Sequence, residues 1–317
     1  MNTQFQAYQR QFEDTLTHLF EIDRPYVVDA LTVDTEIKGM TKVFKRIGQL
    51  QGQDKTGRNE IAILDEPDYS ARHLNVKTKY VATPVDMEDV FKMVNDPKSD
   101  IYTECVHAIY DLQTTAAMNS FFSDVVINED GGATSSFPAA NVIAVNFSTG
   151  TFGQNSGAAD VGLNLDKLLK VRSLISQAGV RVNTSELNQL QIAVCEDDIQ
   201  SLLASKIGTD NFPMIDRLNT MMVQLEKVTE NIIDGKFRWN GFTFNVVPPE
   251  FFLLDDSGMR RVPVWIKDGV VFGIKENVAT EIEKLPNTVE SYKIQALTRV
   301  GGMRKHDKKV YDIRVKP

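Results

Sequence analysis

Residues 36–80 constrain the fold more than any other part of this 317-residue chain. They contain nine Lys or Arg and six Asp or Glu, so they carry +3 while the rest of the chain carries −11. Their few apolar residues partly alternate with polar ones, and three glycines interrupt the middle. The pattern predicts a long two-stranded hairpin with a flexible tip. Because an isolated two-stranded ribbon is marginal in water, we expect it to lean on another surface. The simpler alternative is a solvated, charged insertion loop.

The remaining composition is that of an ordinary folded protein. The length predicts about two domains, and 42% apolar with 25% charged residues excludes wholesale disorder. The net charge of −8 argues against a basic, groove-reading nucleic-acid binder. Cys105 and Cys195 fit neither a disulfide framework nor a zinc site and are predicted to be buried free thiols.

The sequence also indicates where the protein folds. No run reaches 18 apolar residues, so no membrane span is predicted. Residues 1–12 lack the apolar core of a signal peptide. Folding in a cytoplasm is therefore expected.

Apolar periodicity predicts several helices. The longest covers about 100–124, where one stripe contains Ile101, Cys105, Ile109, Leu112 and Ala116. A shorter helix is expected from Leu165, with Asn164 as its N-cap and Gly179 just past its end. Further helices are predicted at Met87–Val94, from Glu196, and over 215–232.

Strand signals fill most of the rest. Residues 190–194 alternate, and Asn240-Gly241 is typical of a tight type I′ hairpin turn. Lys267-Asp-Gly-Val270 is a second candidate turn. A strand is expected from Tyr292 to Val300, then Gly301-Gly302, then a final strand around 311–315.

The sequence contains no strong catalytic motif. None of the four histidines lies in a metal-protease setting, and no Walker A sequence occurs. Gly150, Gly153 and Gly157 have the wrong spacing for a dinucleotide site. The acids of Glu196–Asp198 are explained by a helix N-terminus. We therefore predict no catalytic, cofactor or metal site, and an interaction protein rather than an enzyme.

Short motifs in a fixed order carry a resemblance to a known family. Lys45-Arg-Ile-Gly-Gln-Leu50 is followed by Leu64-Asp-Glu-Pro-Asp-Tyr-Ser-Ala-Arg-His73, and Asn95-Asp-Pro-Lys-Ser99 leads into the long helix. Pro138-Ala-Ala-Asn-Val-Ile143 and Gly241-Phe-Thr-Phe244 come later. From about Phe12 onward, this order resembles major capsid proteins of tailed bacteriophages, which have the Hong Kong phage-type fold.

The resemblance implies an α+β fold with a defined division of the chain. An N-arm and an extended hairpin called the E-loop precede a peripheral domain with a long spine helix and an axial domain. The implied ranges are 1–35 for the N-arm, 36–80 for the E-loop, 81–164 for the peripheral domain with its spine helix at about 100–124, 165–275 for the axial domain, and 276–317 for C-terminal strands completing the peripheral domain.

The implied function is that of a major capsid protein. Its copies would form hexamers and pentamers of an icosahedral shell enclosing the double-stranded DNA of a tailed phage. Implied partners are other copies, portal, scaffolding and, in some members, cement proteins, and DNA without sequence-specific contact, with no membrane. The implied location is the virion capsid, assembled in the host cytoplasm. Because the chain begins almost at the arm, scaffolding is expected to be separate or already cleaved.

The E-loop of this family lies over a neighbouring subunit. The candidate inter-subunit residues are therefore its cations, namely Lys38, Lys42, Lys45, Arg46, Lys55, Arg58 and Arg72. Some members cross-link an E-loop lysine to a neighbouring asparagine. Four of these lysines fit by position only, so no cross-link is predicted.

Two alternatives stay open at this point. One is an encapsulin-like cellular nanocompartment shell of the same fold, which would enclose a cargo enzyme. The more remote one is an α/β enzyme that uses the glycine-rich loop within 128–164 as a ligand site.

Overall fold

The computed structural model describes residues 24–48, 66–86, 98–128, 132–148, 160–180, 189–204, 235–285 and 291–317, together with residues 50, 52, 54, 130 and 182. Most of the predicted N-arm, the predicted helices at Met87–Val94 and 215–232, and the glycines at 150–157 lie outside these residues. The described part contains three α-helices: α1 (Lys98–Phe122), α2 (Leu165–Gln177) and α3 (Glu196–Ala204).

Fourteen strands are present in the same described ranges. They are β1 (Thr32–Asp34), β2 (Thr41–Ile47), β3 (Tyr69–Asn75), β4 (Lys77–Asp86), β5 (Val125–Ile127), β6 (Ala133–Ser135), β7 (Val142–Ile143), β8 (Leu190–Val194), β9 (Lys236–Trp239), β10 (Phe242–Val246), β11 (Arg260–Ile266), β12 (Val270–Lys284), β13 (Ser291–Arg304) and β14 (Val310–Val315). They form three sheets with orders β1-β12-β13-β4, β7-β14-β11-β8-β10-β9 and β2-β3-β5-β6. The molecule is therefore a mixed α+β protein, as predicted.

The six-stranded sheet lies in the main hydrophobic core. All five residues of β8 are buried, which fits a central strand flanked by β11 and β10. Trp265, Phe242 and Phe244 are fully buried on its strands. The turn between β9 and β10 has φ of 48° at Asn240 and 78° at Gly241, so the predicted type I′ hairpin is confirmed.

The tight hairpin predicted at Lys267–Val270 is wrong, although the chain does turn there. Lys267–Gly269 forms a single 3-10 turn between β11 and β12, but these strands belong to different sheets. β14 likewise joins the six-stranded sheet. β12 continues through residue 275, where its pairing with β13 shifts register between Ile274 and Glu276. The predicted division at 275 therefore does not coincide with a boundary between sheets, because β11 and β14 pair across it.

The long helix predicted at about 100–124 is confirmed as α1. Its 25 residues extend for roughly 37 Å at 1.5 Å per residue. Cys105 and Ile109 pack against Ile294 and Ala296 on β13 in a separate small core. Both cysteines are buried free thiols, as predicted.

The ends of α2 follow the signals read from the sequence. The Asn164 side chain accepts a hydrogen bond from the backbone N–H of Lys167 at 2.8 Å. Gly179 has φ of 71°, and the Val180 N–H donates to Ile175 O at 3.2 Å in the pattern of a Schellman motif. The Asn164 cap therefore fixes the start of the helix, and the motif at Gly179 fixes its end.

Lys167, in the first turn of α2, is fully buried. Its ammonium donates to the carbonyls of Val161, Gly162 and Arg314, each at 2.9 Å. Burial lowers the pKa of Lys167 to about 7, although the carboxylates of Asp198 and Asp160 oppose the shift. The three hydrogen bonds link the loop before α2 to the last strand of the chain.

β13 does not end at Gly301-Gly302 as the sequence suggested. It continues to Arg304, and the two glycines provide space on its two faces. A Cβ on Gly301 would overlap the backbone carbonyl of Asn75, and one on Gly302 would overlap Ser120 of α1. Gly273, paired with Gly301, has the side chains of Ile37 and Leu74 in the equivalent space. Glycine is required here by close packing of the hairpin base and α1 on β13.

Replacing Gly301 by alanine should destabilise the fold by about 1–3 kcal/mol, because the overlapping atoms belong to backbone that cannot rotate away. Urea unfolding followed by circular dichroism measures the change. Gly52→Ala is the matched control, since nothing lies within 4 Å of the added Cβ. Equal stability of the two variants would contradict this account of the glycine.

Candidate assembly interface

The base of the predicted hairpin is formed by β2 and β3. They pair antiparallel from Thr41–Asn75 to Ile47–Tyr69, and the Gly48 N–H continues the ladder to Asp68 O at 2.7 Å. The second strand ends at Asn75. Residues from Lys77 onward pair with β13 instead, so the strand read as continuous through Tyr80 is divided at Val76. At the division, the Val76 N–H donates to Met40 O at 2.8 Å, which is the last backbone hydrogen bond of this segment to the hairpin before it joins β13.

The hairpin base rests on the chain's own core. β3 also pairs with β5 through Arg72 and Ile127, which places the ribbon in a four-stranded sheet. A small apolar cluster lies beneath it, consisting of Ile37, Leu74, Val76, Val125, Val271 and Met303, with Phe44 packed against it. The expectation that the ribbon leans on another surface is thus met at its base within one chain.

Arg72 anchors the hairpin to the segment that follows β13. Its side chain is 3% exposed, donates to Arg304 O at 2.7 Å, and forms a two-pronged ion pair with Asp307. An inter-subunit role for Arg72 stays a prediction, and within one chain its terminal guanidinium nitrogens donate to Arg304 O and Asp307. Burial would raise the pKa of Asp307, but hydrogen bonds from Arg72 and Arg304 outweigh it and hold the pKa below its usual value.

Arg304 extends this network into the body of the molecule. Its fully buried side chain donates to Phe121 O at 3.1 Å, to Ser123 O at 2.7 Å and to Asp307 at 3.1 Å. The network therefore connects the end of α1, β13 and the hairpin.

The other predicted cations divide into three groups. Lys42 pairs with Asp34 at 2.6 Å, and Arg46 donates to Lys305 O at 3.0 Å, so both make contacts inside the chain. Lys38 and Lys45 are exposed. Lys55 and Arg58 lie outside the described residues. An inter-subunit role for these residues remains a prediction.

Sequence reasoning missed the apolar character of one hairpin face. Val43, Ile47 and Tyr69 are 42%, 68% and 75% exposed, and Ile47 pairs directly with Tyr69. They lie opposite the half-buried Lys42, Phe44 and Arg46 because side chains alternate along a strand. The alternation of β2 was visible in the sequence. The sequence did not indicate which face of the strand points outward.

The described residues contain no site with evident catalytic chemistry. A cleft of about 530 Å³ lies between the segment at Tyr26, the start of α3 and the end of β10. Burial and the Asp198 carboxylate raise the pKa of Cys195, in its wall, to about 11, which is the opposite of an activated nucleophile. Among these residues no three His, Cys, Asp or Glu side chains converge as metal ligands, and no helix is long and apolar enough to cross a membrane.

Comparison with known proteins decides the family. The family model described as phage capsid protein matches residues 5–316. The chain belongs to the phage capsid protein family. The resemblance drawn from the sequence is confirmed, and the protein is a structural component of a phage virion shell that assembles with its own copies. No curated protein sequence matches the chain.

Solved structures with low sequence identity share this capsid fold. The capsid of Ralstonia phage GP4 has 11% identity and a TM-score of 0.72, covering 98% of this chain and 96% of that one. The Cyanophage Pam1 capsid asymmetric unit has 13% identity and a TM-score of 0.66, with 98% and 97% covered. Mycobacterium phage Che8 has 11% identity and a TM-score of 0.63, with 96% of each covered.

Replacing Arg72 by methionine should destabilise the capsid protein by about 3 kcal/mol, because it leaves buried hydrogen-bonding groups unpaired. The unfolding free energy in urea measures this loss. Lys38→Met, at an exposed position, should change it by less than about 0.5 kcal/mol. Equal effects of the two substitutions would show that the Arg72 network does not hold the fold together.

Acid should weaken the hairpin base through His306. Burial, and then the positive charges of Lys309, Lys305 and Arg46, lower its pKa to about 4 from 6.5, with Asp268 opposing. Between these values the unfolded chain binds the proton and the folded chain does not, so stability falls as the pH drops from 6.5 to 4. His306→Gln should show a smaller loss of unfolding free energy between pH 7 and pH 4.5. An identical loss in both proteins would exclude this role.

Proposed function

We propose that this protein is the major capsid protein of a tailed phage and that its copies form the hexamers and pentamers of an icosahedral shell around double-stranded DNA. The hairpin of β2 and β3 acts as the E-loop and lies over a neighbouring copy. The observation that carries this role is an exposed apolar face on a ribbon whose base is fixed by a buried ion network.

The physical case for the E-loop role rests on what the hairpin leaves uncovered. Exposed apolar side chains at Val43, Ile47 and Tyr69 lie together on one face of two paired strands. Burying such surface contributes about 25 cal/mol per Å², so contact with a neighbour stabilises the pair. Exposed Lys45 lies between Val43 and Ile47 on this face, so the face presents apolar surface together with a cation to a neighbour.

The charge distribution suits the same role. The ribbon is cationic and the rest of the chain is acidic, so like copies attract through different parts of their surfaces. Each exposed ion pair contributes only about 0–1 kcal/mol, but a closed shell repeats the contact in every subunit. The acidic body also avoids a tight grip on packaged DNA, which fits enclosure without sequence-specific contact.

The remaining assignments are part of the same proposal. We infer these assignments from membership of the family. They are the ranges predicted for the N-arm, peripheral and axial domains, partners such as portal, scaffolding and cement proteins, assembly in the host cytoplasm, and the absence of catalysis. The high pKa of the Cys195 thiol supports a non-catalytic protein.

Replacing Ile47 by glutamate should abolish or strongly reduce shell formation while changing the unfolding free energy by less than about 0.5 kcal/mol, because the side chain is 68% exposed. Sedimentation and negative-stain microscopy of the expressed protein measure the shells. Leu254→Glu introduces the same charge at a position that is 60% exposed and far from the ribbon in sequence, so it should assemble. Normal shells from the Ile47 variant would refute the E-loop role.

Particles purified after the chain is expressed together with its packaging partners test the nanocompartment alternative. A phage shell assembled with its packaging partners contains DNA, whereas an encapsulin-like shell contains protein cargo. Nuclease-resistant DNA in the particles is the expected result, and protein cargo without DNA would replace the phage assignment. The enzyme alternative uses the glycine-rich loop within 128–164, and the three glycines at 150, 153 and 157 of that loop lie outside the described residues.

A further inference from the structure

A cationic cluster lies where the hairpin base meets the connection between β13 and β14. Two 3-10 turns meet there, Lys267–Gly269 and Asp307–Lys309, because Gly269 O accepts from the N–H groups of Lys305 and His306 at 2.9 and 3.1 Å. Arg46 reaches this place from the hairpin through Lys305 O. The cluster consists of Arg46, Arg72, Arg304, Lys305, Lys308 and Lys309 with the carboxylates of Asp268 and Asp307.

The cluster has more cations than internal carboxylates can balance. Asp268 is shared by Lys305 at 3.0 Å and Lys309 at 2.7 Å. Asp307 is likewise shared by Arg72 and Arg304. Lys308 of the second turn adds a sixth cation by its place in the sequence, and Asp124, whose charge also acts on Arg304, adds a third carboxylate. The cluster therefore carries +3, which leaves −11 on the rest of a chain whose net charge is −8.

The positive charges of the cluster lower the pKa values of groups inside it. After burial, the charges of Lys309, Lys305 and Arg46 lower the pKa of His306 to about 4, so the imidazole stays neutral near pH 7. Burial and the charge of Arg72 also lower the pKa of Arg46. An external carboxylate at this place would therefore be attracted by fixed charges.

The cluster is both rigid and accessible. The Lys305 and Lys309 side chains are 29% and 20% exposed and held by Asp268, while Lys308 is exposed. Fixed cations lose little side-chain freedom when a partner arrives, which favours specific contact.

We propose that the solvent-accessible lysines of this cationic cluster, Lys305, Lys308 and Lys309, form a contact surface for acidic side chains on a second copy of the chain. This surface is distinct from the apolar hairpin face. The inference rests on the proposed function only in requiring that copies of the chain assemble. A second copy presents −11 outside its own cluster, so it supplies carboxylates. Nucleic acid fits less well, because Asp268, Asp307 and the acidic body all repel phosphates.

The test reverses the charge of the exposed member. Lys308→Glu should lower the yield of assembled particles about tenfold, because like charges placed across an interface are strongly unfavourable. Assembly of the unaltered chain should also weaken between 50 and 500 mM NaCl, since salt screens exposed charges. Lys316→Glu makes the same charge change at an exposed position outside the cluster and should assemble normally.

Sedimentation velocity of the full chain gives distinct outcomes. If the unaltered chain assembles and Lys308→Glu assembles equally well, this inference fails while the proposed function stands. If the unaltered chain remains a monomer at every concentration and salt, both fail. A labelled 20-base-pair DNA duplex is the second probe. Normal assembly of Lys308→Glu with weakened duplex binding would make the cluster a nucleic-acid surface and overturn the proposal.

Discussion

The arrangement of the chain depends on the hydrogen bonds and the ion pair made by the buried guanidinium of Arg304. It is fully buried, yet its hydrogen bonds reach carbonyls at the end of α1 and the carboxylate that also holds Arg72 of the hairpin. A buried charge is stable only if its donors are satisfied, so the end of α1 and the turn after β13 must meet at this point. The position of the hairpin relative to the long helix follows from that requirement.

The parts of the fold that were predictable from sequence are those fixed by local chemistry. Asn164 caps α2, Gly179 ends it, and Asn240-Gly241 turns the β9–β10 hairpin, each through contacts within a few residues. The helix at 98–122 was readable from its apolar stripe because the stripe from Ile101 to Ala116 repeats over about four turns. These signals are local and therefore visible in one sequence.

The errors come from contacts between distant segments. Gly301-Gly302 resembles a turn, but these residues are in mid-strand because Asn75 and Ser120 occupy the space that side chains would fill. Arg72 resembles its neighbouring cations, and only the fold brings Asp307, 235 residues away, into contact with it. Charge composition indicated a cationic ribbon correctly. It could not distinguish cations that hold the ribbon in place from those that face outward.

That distinction explains how weak surface contacts can govern assembly. A ribbon free to move at its base would lose conformational entropy each time it met a neighbour, and exposed contacts of a few tenths of a kcal/mol would not offset the loss. Here the ion network, the glycine contact and the small apolar cluster order the base within the folded subunit. The cost of ordering the base is met during folding rather than during assembly. Under the proposed E-loop role, the binding energy of the exposed hairpin face would therefore be available for association, which is how preorganisation increases affinity without any additional contact.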